Sequence, residues 1–356
     1  MNALTPLDIF DPSSYPTRRD EEWKYSDLSR LLREAPERFA PVELDWDALP
    51  PQQADGNAVI VNGGFSQTPK ILANLADRAH LTYISWGYPK AILGHQGEGH
   101  VRIEAGRKVC IFEVYDFGIA PEVHRECTYV GNTALHFYLE EGAHLIRIVI
   151  LNEPAAAISI RRSTVETSPN SVFKQYVFST GAKFQRFETH VRHAGHGAEV
   201  VLDGAYLLKD KRHFDMTTRV THAEINGTTS QTIRGLVKDQ ATAVFQGRIL
   251  VERGADGTDA RMRHQALILN DGAHIRAKPE LEIYADDVQC AHGNTIGALD
   301  EESLFFCQAR GMDEATARGL LTHAFVLPVA DGIEDEEIRG KVLEFLEGAG
   351  ENFHAV

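Results

Sequence analysis

The 356-residue chain carries 36 Lys and Arg against 51 Asp and Glu, a formal charge of -15. Such a surface repels nucleic acid and anionic membranes, which sets both aside as partners, and the length suits either two or more domains or one elongated repeat body. Four cysteines (Cys110, Cys127, Cys290 and Cys307) with no CxxC pair make no disulfide framework, and no apolar run approaches the roughly 18 residues of a membrane span.

The opening MNALTPLDIFDPSSYPTRRDEEW has no charged-then-apolar layout of a signal peptide, so a reducing, cytoplasmic setting is expected. The first forty residues begin as Pro- and Ser-rich coil and become strongly charged at 18–24. Ser26 and Asp27 are suited to cap a short helix bearing Leu28, Leu31, Leu32 and Ala35. Trp23 and Tyr25 read as packing anchors for it. From 41 to 99 the signal is mixed: Pro50-Pro51 and Gly63-Gly64 are breaks, 58–61 reads as a short strand and 71–79 as a helix.

From about 99 the character changes to short β-rich runs, at 109–114, 134–139, 144–151, 157–160, 171–178, 183–191, 198–208, 213–221, 228–237, 241–251, 265–269 and 280–285. Turn-formers separate them, among them Gly142, Gly197, Gly254 and Gly272, and hardly any helical periodicity interrupts them. Doubly wound α/β and TIM-barrel layouts need a helix after most strands and are excluded. A sandwich, a propeller and a parallel β-helix remain. The recurring Gly-Ala turns favour stacked β-helix coils, and a sandwich would show more hairpin turns than the single Asn226-Gly227.

After Leu299 the pattern turns helical. Asp300 caps a first helix with Glu301 and Glu302 in its opening turn, and Gly311 is its stop. Asp313 opens a second, with Ala317, Leu320, Leu321, Ala324 and Phe325 as its apolar stripe, closed by Pro328. A third, at 334–346, places Ile338, Val342, Phe345 and Leu346 on one side. The expected organisation is a mixed or helical N-terminal region (1–98), a β-helix core (99–299) and a C-terminal helical subdomain (300–356).

The chemistry-bearing stretch is 278–299, KPELEIYADDVQCAHGNTIGAL. Leu281, Ile283 and Ala285 alternate with Glu280, Glu282 and Tyr284 as in a half-buried strand, and Asp286-Asp287 makes a turn. Beyond it Val288, Cys290 and His292 share one parity, so an extended chain points the thiol and the imidazole the same way, with Cα atoms roughly 6–7 Å apart. Taken alone, the pair reads first as a small buried hydrophobe and a hydrogen-bonded core histidine, and two ligands do not complete a tetrahedral metal site. Cys110, Cys127 and Cys307 read as buried thiols. His190, His193 and His196 are three apart, which on a strand alternates faces and argues against a shared metal. Asp286 and Asp287 diverge as strand neighbours do and cannot by themselves flank a glycosidic bond. There is no P-loop, no GxGxxG after a strand and no GxSxG.

Three stretches, RRDEEWKYSDL (18–28), QGRILVERGADGTD (246–259) and AKPELEIYADDVQCAHGNTIGALDEESLFFCQA (277–309), resemble the SufB/SufD family of the SUF iron–sulfur cluster assembly system. In the SufB branch an acidic residue follows the motif histidine. Here Gly293 follows His292, which is similar to the SufD branch. The resemblance implies a right-handed parallel β-helix flanked by helical terminal regions, acting as a non-catalytic scaffold. It implies pairing with a SufB-type paralogue through the β-helical cores, and a SufC-type ABC ATPase carried on the helices at 301–325. Phe305, Arg310, Gly311, Leu320, Leu321 and Phe325 are the residues expected at that ATPase contact. His292 matches the interface histidine implicated in building the nascent cluster, as a transient metal ligand shared with the partner chain, and Cys290 matches a neighbouring thiol. No tightly bound cofactor is implied, only an iron or iron–sulfur cluster held transiently at the interface. Exposed pairing edges also allow self-association of the isolated chain. Two other classes fit the residues: a β-helical carbohydrate-active enzyme, and a purely architectural subunit with inert Cys290 and His292.

Overall fold

The computed structural model describes residues 7–38, 57–61, 64–65, 77–84, 92–116 and 128–353. The strands are β1 (Glu37–Arg38), β2 (Asn57–Val61), β3 (Gly64–Phe65), β4 (Arg78–Ile84), β5 (Leu93–Ile103), β6 (Lys108–Asp116), β7 (Tyr129–Leu139), β8 (His144–Asn152) and β9 (Ile158–Thr167). They continue as β10 (Val172–Ser179), β11 (Phe184–His193), β12 (Glu199–Leu208), β13 (His213–His222), β14 (Thr228–Val237), β15 (Thr242–Val251), β16 (Thr258–Ile268), β17 (His274–Ile283) and β18 (Val288–Gly297). Odd strands from β5 onward stack in one sheet and even strands from β4 onward in the other. Among the described residues the strands pair in parallel, except for the short β2–β3 contact and an isolated antiparallel bridge between Ala182 and His213. Two strands per coil give a β-solenoid of about seven turns.

The expected β-helix is therefore what forms, and the turns explain it. Gly106, Gly142, Asn170, Gly197, Asn226 and Gly257 all have positive φ and succeed one another between an odd strand and the next even one. Each donates its backbone N–H to a carbonyl of the following coil, from Gly106 to Glu141 at 2.9 Å through to Gly257 to Asp287 at 2.7 Å. Glycine and asparagine are the residues that enter this left-handed region most readily. Asn226-Gly227 thus turns a coil corner instead of making a hairpin. The coils differ in length, since Val172 pairs with Glu199, 27 residues on, whereas Leu93 pairs with Tyr129, 36 residues on. That irregularity is why no fixed repeat stands out in the sequence.

The lumen is packed mainly with alternate residues such as Leu145, Phe173, Phe187, Leu202, Phe214 and Phe245. It also encloses charge. Arg147 reaches both carboxylate oxygens of Glu113 at 2.7 and 2.9 Å and also donates to Ser163 and Gln175, with the Phe137 and Phe187 rings beside its guanidinium. A charge pair is tolerated there because the pairing is bidentate and Ser163 and Gln175 accept from the guanidinium as well.

Both outer faces are covered in the middle of the stack. On the odd sheet lies the N-terminal strap, 7–38. It contains α1 (Leu28–Leu31), capped by the Asp27 side chain through Arg30 N at 3.0 Å. Trp23 is fully buried, as anchoring requires, whereas Tyr25 is only half-buried. Ser26 does not cap the helix but donates to Asp215. On the even sheet lie α2 (Glu301–Ala309), α3 (Glu314–Val326) and α4 (Glu336–Gly350), capped by Asp300, Asp313 and Asp335. Val326, Val329, Ile338, Val342 and Leu346 pack there on Ile148, Phe178, Leu207 and Leu236.

Several expectations shift. The buried face of α3 is Ala317, Gly319, Thr322 and Val326, while Leu320 and Ala324 of the expected stripe face solvent. The helix expected at 71–79 lies outside the described residues up to 76, and its end is strand β4 instead. The strand expected at 157–160 runs on to Thr167. Cys127 and the Pro50-Pro51 break lie outside the described residues, Cys307 is buried, and Cys110 is only half-buried, its thiol pushed up to about 11 by burial.

Under the helices Asp203 accepts from Thr232 N at 2.7 Å, and burial pushes its carboxyl up to about 6. A carboxyl raised on folding favours the folded state while protonated, and that contribution is lost as pH rises from about 4 through 6. Asp203→Asn is therefore expected to raise stability at neutral pH and to flatten this part of the profile. Urea unfolding at pH 4.5 and 7 checks it; equal destabilisation at both would refute the reading.

Candidate functional site

The solenoid ends at β17 and β18, each the last strand of its sheet, so among the described residues each leaves one edge unpaired. Here Leu281, Ala285, Val288 and Cys290 pack against the lumen as the alternation of 278–299 predicts, whereas Ile283 of the same set is exposed. Thr258, Ala260 and Met262 of β16 are buried and pair with Val288, Cys290 and His292 of β18. Those three therefore point along the inner face, but with no coil beyond to cover them. Cys290 is half-buried against the lumen edge, and burial pushes its thiol above the usual range, which disfavours the thiolate. His292 is exposed. The Asp286-Asp287 pair is an exposed bend, as expected of a turn.

The end of the lumen is polar as well as open. Asn294, next on the same face, lies 2.7 Å from His264 Nδ1, and His264 Nε2 lies 2.8 Å from the Tyr206 hydroxyl. The His264 ring stacks on Phe245 with centroids 4.7 Å apart. This chain, buried at Tyr206 and His264 and exposed at Asn294, was not evident from sequence, because His264 and Tyr206 are 58 residues apart and meet only through the coil register. Apolar Ile283, Tyr284 and Ile296 are 42%, 63% and 39% exposed around the same end. Exposed large hydrophobics grouped at one place mark an association surface.

Neither Cys290 nor His292 joins a group of three convergent ligands among the described residues. Two donors on one strand fit a metal whose remaining ligands come from outside the chain. The histidines at 190, 193 and 196 separate as expected. His190 faces outward to Glu188 at 2.8 Å, His193 stacks inward on His222, and His196 lies in the turn.

The residues expected at the ATPase contact divide into two sets. Phe305 is 72% and Leu320 49% exposed, and Arg310 and Gly311 are exposed in the turn between α2 and α3. Phe306 and Met312, which the sequence did not single out, are exposed beside them, with the Arg310 guanidinium 4.6 Å over the Phe306 ring. Leu321 instead packs against Leu304 and Ala317, and Phe325 against the sheet and Arg234, so both hold the helices in place.

The sequence profile described as SUF system FeS cluster assembly, SufBD core domain, matches residues 90–325. The chain belongs to the SufBD family. It is 24% identical over 378 residues to the iron–sulfur cluster assembly protein SufD of Escherichia coli, covering 92% of this chain and 88% of that one. It is 24% identical over 402 residues to an iron–sulfur cluster assembly SufBD family protein of Synechocystis, covering 94% and 87%. To the chloroplastic protein ABCI7 of Arabidopsis thaliana it is 30% identical over 244 residues, 67% of this chain and 51% of that one. The SufBD core match spans β5 to β18 and ends within α3, so it takes in both the open terminal coil and the exposed turn after α2. Among the described residues no helix is long and apolar enough to cross a membrane.

Proposed function

We propose that this SufBD protein is a non-catalytic scaffold that pairs with a SufB-type paralogue through its open terminal coil and carries a SufC-type ABC ATPase on α2 and α3. The observation that carries this is the terminal coil itself. It joins two unpaired strand edges, an exposed apolar rim and an exposed imidazole, and a second β-helix docked there would cover all three. In this reading His292 contributes to a cluster or iron atom held between the chains, as cargo. Cys290 is the weaker ligand because burial opposes its ionisation. Phe305, Leu320, Arg310 and the neighbouring Phe306 and Met312 form the ATPase contact, and the setting is cytoplasmic.

The carbohydrate-enzyme reading has little support. Two clefts along the seam between helices and sheet contain one carboxylate each, Glu344 and Asp239. Glycosidic cleavage uses two facing carboxyl groups.

Co-purification with the host's SufB- and SufC-type proteins tests the scaffold reading. A ternary complex is expected. Phe305→Glu with Leu320→Glu, both on exposed positions, is expected to lose the ATPase and keep the paralogue. His292→Ala is expected to keep all three chains together and to lower cluster formation on the complex by about tenfold or more. Full cluster formation in His292→Ala would make the site inert, and a chain that elutes alone would defeat the scaffold reading altogether.

A further inference from the structure

Far from the terminal coil, the outer face of β5 and β7 carries a second group of ligating side chains. His100 pairs with His136, and His136 with Thr164 of β9, so the three form one row across neighbouring strands. Glu98 precedes His100 by two residues and so shares its face. Nε2 of His136 lies 3.1 Å and Nε2 of His100 3.5 Å from the same carboxylate oxygen of Glu98. All three ligand atoms lie within 4.8 Å of one another. Donors around a tetrahedral ion with bonds of 2.0–2.2 Å are about 3.3–3.6 Å apart, so little movement would seat one.

We propose that Glu98, His100 and His136 bind a first-row divalent cation of the zinc or ferrous class. Two imidazoles and one carboxylate suit these ions better than calcium or magnesium, which favour all-oxygen sets. The surroundings hold the ligands in place. Nδ1 of His136 lies 2.7 Å from Thr164 Oγ1, and a proton donated there leaves the Nε2 lone pair directed at the site. The His100 ring is stacked between His136 and Tyr138, with centroids 4.8 and 6.3 Å away. Three protein donors leave a position open for water or a group from another molecule.

Simple ion pairing of two imidazolium rings with one carboxylate fits less well. Two imidazolium rings stacked with centroids 4.8 Å apart would repel each other. Arg162 lies in the same row as Glu98, beyond Ala134, and opposes any cation at the site, but Glu188 faces it and offsets part of its charge.

The test is a Co(II) titration of the full chain, followed by visible absorption and Zn(II) competition, in a Cys290→Ser, His292→Ala background that removes the terminal-coil ligands. Saturable uptake of one Co(II) is expected, with a visible band and no thiolate charge-transfer band, and Zn(II) should displace it. His136→Gln, and separately His100→Gln on an exposed position, should each weaken binding by about tenfold or more with unchanged circular dichroism. Undiminished affinity in both variants, or no saturable uptake by the parent, would overturn the site.

Discussion

Replacing Arg186 with alanine is expected to destabilise the chain by about 3–5 kcal/mol, the range for breaking one partner out of a buried ion network. Arg186 lies on the outer face of β11 and is fully buried. It donates to Glu188 at 2.9 Å and to Asp215 at 2.7 Å, and its guanidinium lies 4.1 Å over the Trp23 ring. Burial alone would raise the Glu188 carboxyl, but the Arg186 charge and the His190 contact hold it well below the usual carboxylate range. Alanine would leave both carboxylates buried without their main counter-charge. It would also remove the guanidinium under Trp23, one part of the surface on which the N-terminal strap sits. Urea unfolding should show the loss, and limited proteolysis should show faster cleavage within 7–38. A cost below about 1 kcal/mol, typical of exposed pairs, would mean the network does not hold the strap.

Acid is expected to unfold the protein well before its carboxylates are neutralised. His213, His222 and His264 are pushed down to about 4 and His95 to about 3, and His193 falls well below its ordinary value, each chiefly by burial. The His193 and His222 rings stack 4.0 Å apart and share the Thr229 hydroxyl. An imidazole depressed on folding is neutral in the folded chain and protonated in the unfolded one between its two values. Stability is therefore complete above about 6.5 and is lost as pH falls through 4, by about 1.4 kcal/mol per pH unit for each such group. Asp203 works in the opposite sense over part of this window but is a single group. Unfolding midpoints at pH 7.5, 5.5 and 4.5 should fall steeply, and His222→Gln should lessen the slope. A flat profile across this range would mean that these rings already carry protons in the folded state.

Much of the coil structure was legible because a strand writes its two faces into alternate residues. Leu281 inside and Glu282 outside needed no further information, and the common parity of Cys290 and His292 followed from the same rule. What alternation does not carry is the distance to the next coil. The exposure of His292 depends on β18 being last in its sheet, the Tyr206–His264–Asn294 chain on coil register, and the Glu98–His136 contact on an offset of 36 residues between β5 and β7. Buried ions were hidden for a different reason. Arg147 and Glu113 occupy inward positions that composition assigns to the surface, and they are tolerated only because they find each other. The α3 stripe misled because a helix lying on a sheet buries small residues closely, so Gly319 and Thr322 contribute to the contact while Leu320 turns away.

The position of the terminal helices also bears on the order in which this chain is made. Residues 326–353 cover apolar side chains that begin at Phe112 and extend to Leu236, so a cover synthesised later protects strands synthesised much earlier. As the chain leaves the ribosome, each coil can stack on its predecessor, because a solenoid requires only nearest neighbours. The outer patch of Ile148, Tyr176, Phe178 and Leu207 nevertheless stays open until α4 has emerged. Throughout that interval a nascent chain presents a nonpolar patch to whatever it meets, and holding chaperones would act on it until these helices dock.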